Sequence, residues 1–290
     1  MTNLFTDVRY DERVVRLAVG VEPLDGLGGG RLTGPLRVLV EDAPAPLHNW
    51  RNWRPGETLD GFLGRLDRHR SGRFGRVYGP GFRAGEITLR LVEPSARAVV
   101  PRRIGVQIAD EAAVLTAEAA GTSVPLFTRV FPVGLFPGAA VALPSRATVV
   151  RGRVVTAVAG GGTMPVRWVR VRAVDADGND VGWAHGDDRG EFVLFVTGAT
   201  EAVVPADDPL AVSFTVYATV PPPAPDPADP LRAVVDPLWD LPVEPLPALA
   251  GAASDDRYAG RVPLPGQDPF GPFPFDLPLG RETSIQLHIP

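Results

Sequence analysis

Cysteine and lysine are both missing from the 290 residues. Without cysteine there can be no disulfide, no thiolate metal centre and no cysteine nucleophile. Without lysine, all 29 basic residues are arginine, and against 34 acidic residues they leave a net charge of −5. That balance argues against nucleic acid as a partner, because phosphate binding needs a local excess of cations. GC-rich coding accounts for arginine in place of lysine, and arginine also suits planar, bidentate contacts. No stretch approaches the ~18 apolar residues of a membrane span. The opening MTNLFTDVRYDERVV carries Asp7, Asp11 and Glu12 where a secretory signal would have a basic end and an apolar run. Synthesis and folding in the cytoplasm are therefore expected, with later release inside a particle on lysis reading the same way.

Helical periodicity is almost absent too. It shows only in Thr58 to His69, where Leu59, Phe62, Leu63 and Leu66 recur at helical spacing, and in Asp110 to Ala119. What is abundant is punctuation: proline and glycine number 32 each, nearly twice their usual share, between short β-branched runs. This is the pattern of an all-β protein with many turns.

Candidate strands run through Arg13–Val21, Pro35–Val40, Ser71–Tyr78, Glu86–Val92 and Ala98–Ile108, which makes 1–110 a first β-sandwich. Residues 111–147 read as linker and extended segments, since FTRVFPVGLFPGAAVALP has too many prolines for a central strand. A second sandwich spans 148–220. Beyond PPPAPDPADP, residues 221–290 read as a proline-rich extended arm with a last strand at Ser284–Pro290. Its aromatics, Trp239, Phe270, Phe273 and Phe275, argue for packing along a surface rather than disorder.

The densest pattern lies at Arg151–Val196. RGRVV with Gly152 is followed by PVRWVRVRA, an Asp177-Gly178 turn and DDRGEFVLFV with Gly190 and Phe192. This segment resembles the carboxypeptidase-regulatory-like, or transthyretin-like, β-sandwich domain. The resemblance implies two antiparallel Greek-key sandwiches, if a faint repeat extends it to the first half: PLRV at Pro35 matches PVRW at Pro165, and RSGRF at Arg70 matches DRGEF at Asp188. Such domains act as structural or interaction modules, and the fold alone assigns no function. The overall style of the chain is also similar to accessory subunits of phage-tail-like contractile injection particles: two domains, no cysteine, arginine-rich, a proline-rich tail.

A search for reactive constellations returns little. His48, His69, His185 and His288 show no i, i+2 or i, i+4 pairing, so no local metal site is expected. His185 sits near Asp187, Asp188 and Glu191 without a nucleophile beside it, and a strand-to-strand corner explains the same residues. Asp175, Asp177, Asn179 and Asp180 suggest a calcium loop, but the sixth and twelfth positions are Asp180 and Gly186 where an EF-hand needs Gly and Glu. A hairpin turn fits better. The glycine runs at Gly26 and Gly160 lack phosphate-loop endings, and no G-x-S-x-G occurs. Among enzymes of the resembling fold, hydroxyisourate hydrolases end in Tyr-Arg-Gly-Ser, whereas this chain ends in Leu-His-Ile-Pro.

The expectation is a non-enzymatic subunit without cofactor or metal, docking to other protein subunits of an assembly or to further copies of itself. Trp50, Trp53, Arg51, Arg54, Trp239, Phe270, Phe273 and Phe275 are its candidate contact residues. The alternative is a carbohydrate-binding or adhesive module that uses Trp50, Trp53 and Trp183 as stacking platforms.

Overall fold

A computed structural model of the chain describes residues 15–32, 34–41, 63–79, 84–94, 97–197, 208–228 and 232–290. The described residues are built mainly of strands. The first half contributes β1 (Leu17–Asp25), β2 (Arg37–Glu41), β3 (Gly64–Arg65), β4 (Asp67–Arg68), β5 (Phe74–Val77), β6 (Gly85–Val92), β7 (Arg102–Ile108) and β8 (Val130–Leu135). Helix α1 (Glu111–Ala119) lies between the last two, as its spacing predicts, with Asp110 capping it by accepting from the Ala112 N–H at 3.2 Å. The described end of the other helix candidate, 63–69, is strand and turn.

These strands form two sheets, ordered β4-β5-β1-β8 and β15-β7-β6-β2-β3, where β15 (Glu244–Leu246) arrives from far along the chain. Alternation explains their faces: Val19 and Val21 of β1, Val38 and Val40 of β2, Leu89 and Leu91 of β6, and Ile104 and Val106 of β7 meet in one core. Each such side chain, fully buried, contributes roughly 1.5–3 kcal/mol. The proline-bearing segment placed between two domains is in fact part of this first core. Phe131, Val133 and Leu135 enter it from β8, an edge strand where Pro132 costs no ladder bond.

The second half contributes β9 (Val149–Ala157), β10 (Thr163–Pro165), β11 (Arg170–Asp175), β12 (Asp180–His185), β13 (Glu191–Phe195) and β14 (Leu210–Ala218). With β16 (Asp268–Leu277) and β17 (Glu282–Ile289) from the end of the chain, one sheet is ordered β12-β11-β14-β16 and the facing one β10-β9-β13, with β17 on the other side of β9. Val171, Ala173, Phe192, Leu194, Phe214 and Val216 fill the space between them.

The C-terminal stretch is not an arm laid outside the body. Helices α2 (Arg232–Val235) and α3 (Asp256–Ala259) and strand β15 close over the first half, while β16 (Asp268–Leu277) and β17 (Glu282–Ile289) complete both sheets of the second. The physical reason is visible in β16. Phe270, Phe273, Phe275 and Leu277 face the core, and Pro269, Pro272 and Pro274 sit at exposed positions of an edge strand, which need no N–H. Nor are the sheets purely antiparallel: β8 on β1, β15 on β7 and β17 on β9 are parallel pairs, each closed by a long crossover.

The faint repeat is a repeat of turn geometry. At 69–73 the His69 N–H donates to the Arg73 carbonyl and the Gly72 N–H to the His69 carbonyl; at 187–191 Asp187, Gly190 and Glu191 make the same two bonds. His69 Nδ1 accepts from the Ser71 N–H at 3.2 Å, as Asp187 Oδ1 accepts from the Arg189 N–H at 2.8 Å. Gly72 and Gly190 take the positive φ (84° and 70°) that such a turn requires, and Phe74 and Phe192 follow into their cores. The 175–179 turn is a third example, with Asp175 accepting from the Asp177 N–H at 3.0 Å and Gly178 at φ 85°. The carboxylate that suggested a calcium ligand is holding its own backbone.

Gly152, opposite Phe192 on β9, leaves room for that ring: a Cβ there would lie 2.0 Å from its Cζ. Gly152→Ala is expected to cost about 1–3 kcal/mol of stability by overpacking, read as a lower urea midpoint at unchanged slope. An unshifted midpoint would show that the ring has somewhere else to go.

Candidate functional site

Strands β6, β7 and β11 each carry arginines on faces that ordinarily meet water. Here those outer faces turn toward one another, and the 232–264 segment fills the seam. Trp168, Leu39, Val92, Leu238, Leu241 and Leu264 form its apolar part, with Trp168 donating from Nε1 to Asp240 Oδ1 at 2.8 Å.

The polar part is a buried network. Arg102 of β7 uses all five of its N–H groups: on both Glu244 oxygens (3.0 and 2.8 Å) and on the carbonyls of Gly134, Tyr258 and Arg257. Glu244, on β15, also accepts from Arg170 of β11 at 2.9 Å, so one carboxylate ties the two halves together. Burial alone would raise its pKa, but the Arg102 and Arg170 guanidiniums overcome this and hold it below the ordinary carboxylate range. Burial, with Arg102 nearby, brings Arg170 down to about 10, leaving it charged at neutral pH. A second knot joins Arg90 to Asp236 in a bidentate pair (2.6 and 2.8 Å) and to Glu41, which also takes both oxygens to Arg103.

His185 lies in the same seam, wholly buried. Its ring stacks on Phe136 with centroids 4.1 Å apart, and its Nε2 is 2.7 Å from the Gly260 carbonyl. A carbonyl only accepts, so Nε2 carries the proton and Nδ1 is bare; among the described residues Nδ1 has no hydrogen-bond partner. Burial first, then the Arg170 and Arg102 charges, push its pKa well below that of a free histidine. Asp187, two residues on, turns away to the Arg189 side chain and its own turn. The imidazole is therefore structural, with no carboxylate steering it.

The open part of the same face, at β11 and β12, forms a cleft of about 290 Å³, lined by Trp183, Arg172, Asp180, Arg261, Asp256 and Phe136 among others. The half-buried rings of Trp183 and Tyr217 lie nearly parallel (7°) with centroids 6.0 Å apart, across the strand that carries Arg172. Arg172 Nε donates to Asp180 Oδ1 at 2.5 Å, and Arg261 donates to the Gly26 carbonyl at 3.2 Å. Two guanidiniums and two carboxylates leave the walls without net charge and rich in both donors and acceptors. One flat aromatic side makes the cleft suitable for a neutral, polyhydroxylated ligand.

Of the residues singled out from sequence, Trp50, Trp53, Arg51 and Arg54 lie outside the described residues, as does His48. Phe270, Phe273 and Phe275 pack on the second core, Phe275 edge-to-face with Phe214 at 5.5 Å, in place of the docking role expected of them. Trp239 is half-buried beside Arg232 and Ala233 at a smaller cleft of about 260 Å³. Trp183 is at the open cleft, but Arg172 and Arg261 reach it only through the fold, and no local spacing announces them or the Tyr217 ring stacked on Trp183.

No protein-family model matches the chain, and no curated protein does. Similar solved structures include the Bacillus anthracis TIE protein, at 8% identity and a TM-score of 0.24, covering 94% of this chain and 33% of that one. GBS52, the minor pilin of Streptococcus agalactiae, is 7% identical with a TM-score of 0.24, covering 93% and 95%. A streptococcal ancillary pilin is 12% identical with a TM-score of 0.23, covering 73% and 54%. This chain thus spans a third of the length of the first and nearly all of the second.

Proposed function

We propose that this chain is a non-enzymatic binding module, built on a transthyretin-like sandwich plan, that holds a neutral sugar in the cleft beside β11 and β12. The observation that carries the reading is the Trp183–Tyr217 pair of parallel rings beside the Arg172–Asp180 ion pair. A sugar presents C–H faces to an aromatic ring and hydroxyls that both donate and accept, which matches a wall of one aromatic side and paired charges. The walls sit on sheet strands held on the same face by the adjoining buried network, so binding would order little new structure.

Titration with a panel of neutral oligosaccharides, followed by tryptophan fluorescence and calorimetry, tests this. At least one should bind, and Trp183→Ala should weaken it about tenfold or more, equivalent to about 1.4 kcal/mol. Silence across the panel, or binding that Trp183→Ala leaves intact, would remove the reading.

A second reading, a structural subunit of a protein assembly made in the cytoplasm, draws on one further observation: the free edge of β17, paired only on its β9 side among the described residues. A subunit of a contractile, phage-tail-like particle is one form of it, resting on the style of the sequence alone.

A further inference from the structure

The long edges of the second sandwich are managed in three different ways. On β12 the edge is sealed, the Val181 carbonyl accepting from the Thr197 N–H at 2.7 Å. On β16 it is blunted by Pro269, Pro272 and Pro274. On β17 it is neither. Eight residues, ETSIQLHI, run parallel to β9 from Glu282↔Val149 to Ile289↔Thr156 without a proline or an arginine.

The Val149 N–H donates to the Arg281 carbonyl, so the odd-numbered residues turn their backbone groups toward β9. Glu282, Ser284, Gln286 and His288 then aim theirs outward, and the same four side chains are exposed while Leu287 and Ile289 are buried in the core.

We infer that β17 is a homodimerisation edge, pairing antiparallel with β17 of a second copy about a two-fold axis at Ile285. In that register Ser284 faces Gln286 of the second copy, and Glu282 faces its His288. Each outward N–H and carbonyl of the four residues then gains a partner, and every opposed side-chain pair joins a donor to an acceptor. Moving the axis one residue earlier leaves His288 unpaired; one later sets Glu282 against Pro290, which has no N–H. An axis between residues would set outward groups against inward ones. The strand is thus complementary to itself in one register, as an isologous interface requires. Glu282 is steadied for this by Arg151, whose Nε lies 2.7 Å away on the same face. The result is one sheet running through both molecules, with the Trp183 cleft of each copy on the other layer. The inference stands apart from the sugar-binding reading.

Light scattering after gel filtration of the full chain tests it. The wild type should run at twice 30.9 kDa and Gln286→Pro at 30.9 kDa, with far-UV dichroism and thermal midpoint unchanged, since the lost N–H points away from β9. If Gln286→Pro does not fold, the double variant Ser284→Lys with Gln286→Lys is read instead: it opposes like charges across the axis and keeps every β9 bond. A monomeric wild type at the highest soluble concentration, or a folded variant that stays dimeric, would overturn the inference.

Discussion

Glu244→Ala is expected to destabilise the protein by about 3–5 kcal/mol, the scale seen when one partner of a buried ion pair is removed. The loss does not measure what the pair adds over an apolar seam. It measures what remains: Arg102 still has three carbonyl acceptors, but Arg170 loses its hydrogen-bond acceptor and keeps a charge in a site with no exposed surface to speak of. Its Nε already has no hydrogen-bond partner among the described residues. The two halves should also unfold less cooperatively, because Glu244 is the residue that both of them grip. Urea denaturation followed by tryptophan fluorescence gives the magnitude, and calorimetry the number of transitions. A shift under about 1 kcal/mol would mean that water reaches Arg170 and the seam is not dry.

Stability should also fall as pH drops below about 6.5, and one residue should account for it. His185 has a depressed pKa in the folded state, so between its unfolded value, near 6.5, and its folded one the unfolded chain binds a proton that the native chain does not. Stability then decreases with falling pH by about 1.4 kcal/mol per unit across that window. Charging the ring would place a third cation beside Arg102 and Arg170 with only the Gly260 carbonyl to face it. His185→Gln keeps a donor for that carbonyl and removes the titration, so its stability should be flat from pH 7 to 5. A separate acid limb must persist in the variant. Glu244 and Glu41 have lowered pKa values, so their contribution is present above about 4.3 and is lost as pH falls through their folded values. If the variant retains the slope near pH 6, the imidazole is not its source.

The sequence shows the strands of both cores because alternation survives in them: RVLVE, EITLRLV and AVSFTVYA read as they fold. It also shows the glycine corners, since an Asp-x-x-Gly turn is set by four neighbouring residues. The tail misleads for a reason of the same kind. In DPFGPFPFDL the alternation is there, but it is written in phenylalanine and proline, and proline signals a break unless the strand is known to be at an edge. The seam is hidden more deeply. Arg90, Arg103 and Arg170 occupy the outward positions that charged residues usually fill on a sheet, while Arg102 shares the face of Ile104 and Val106, and nothing local says what covers them. Their partners Asp236 and Glu244 lie 146, 142 and 74 residues away. The cleft follows the same rule: Trp183 stands out as a tryptophan, while Arg261 joins it, and Tyr217 stacks on it, only once the strands are in order.

The threading of the C-terminal stretch through both halves constrains how the protein can be made. A nascent chain that has reached residue 220 lacks β15, β16 and β17, so neither half has its full set of strands, and Arg90, Arg102 and Arg170 have no carboxylate from the tail. The ribosome adds about 5–20 residues per second, which leaves these half-sheets waiting for seconds with open edges. Domain-by-domain folding during translation, the usual safeguard of a chain this long, cannot complete either sheet set before those strands are made. The strands that precede residue 220 therefore meet their last sheet partners late, once β15, β16 and β17 have been made.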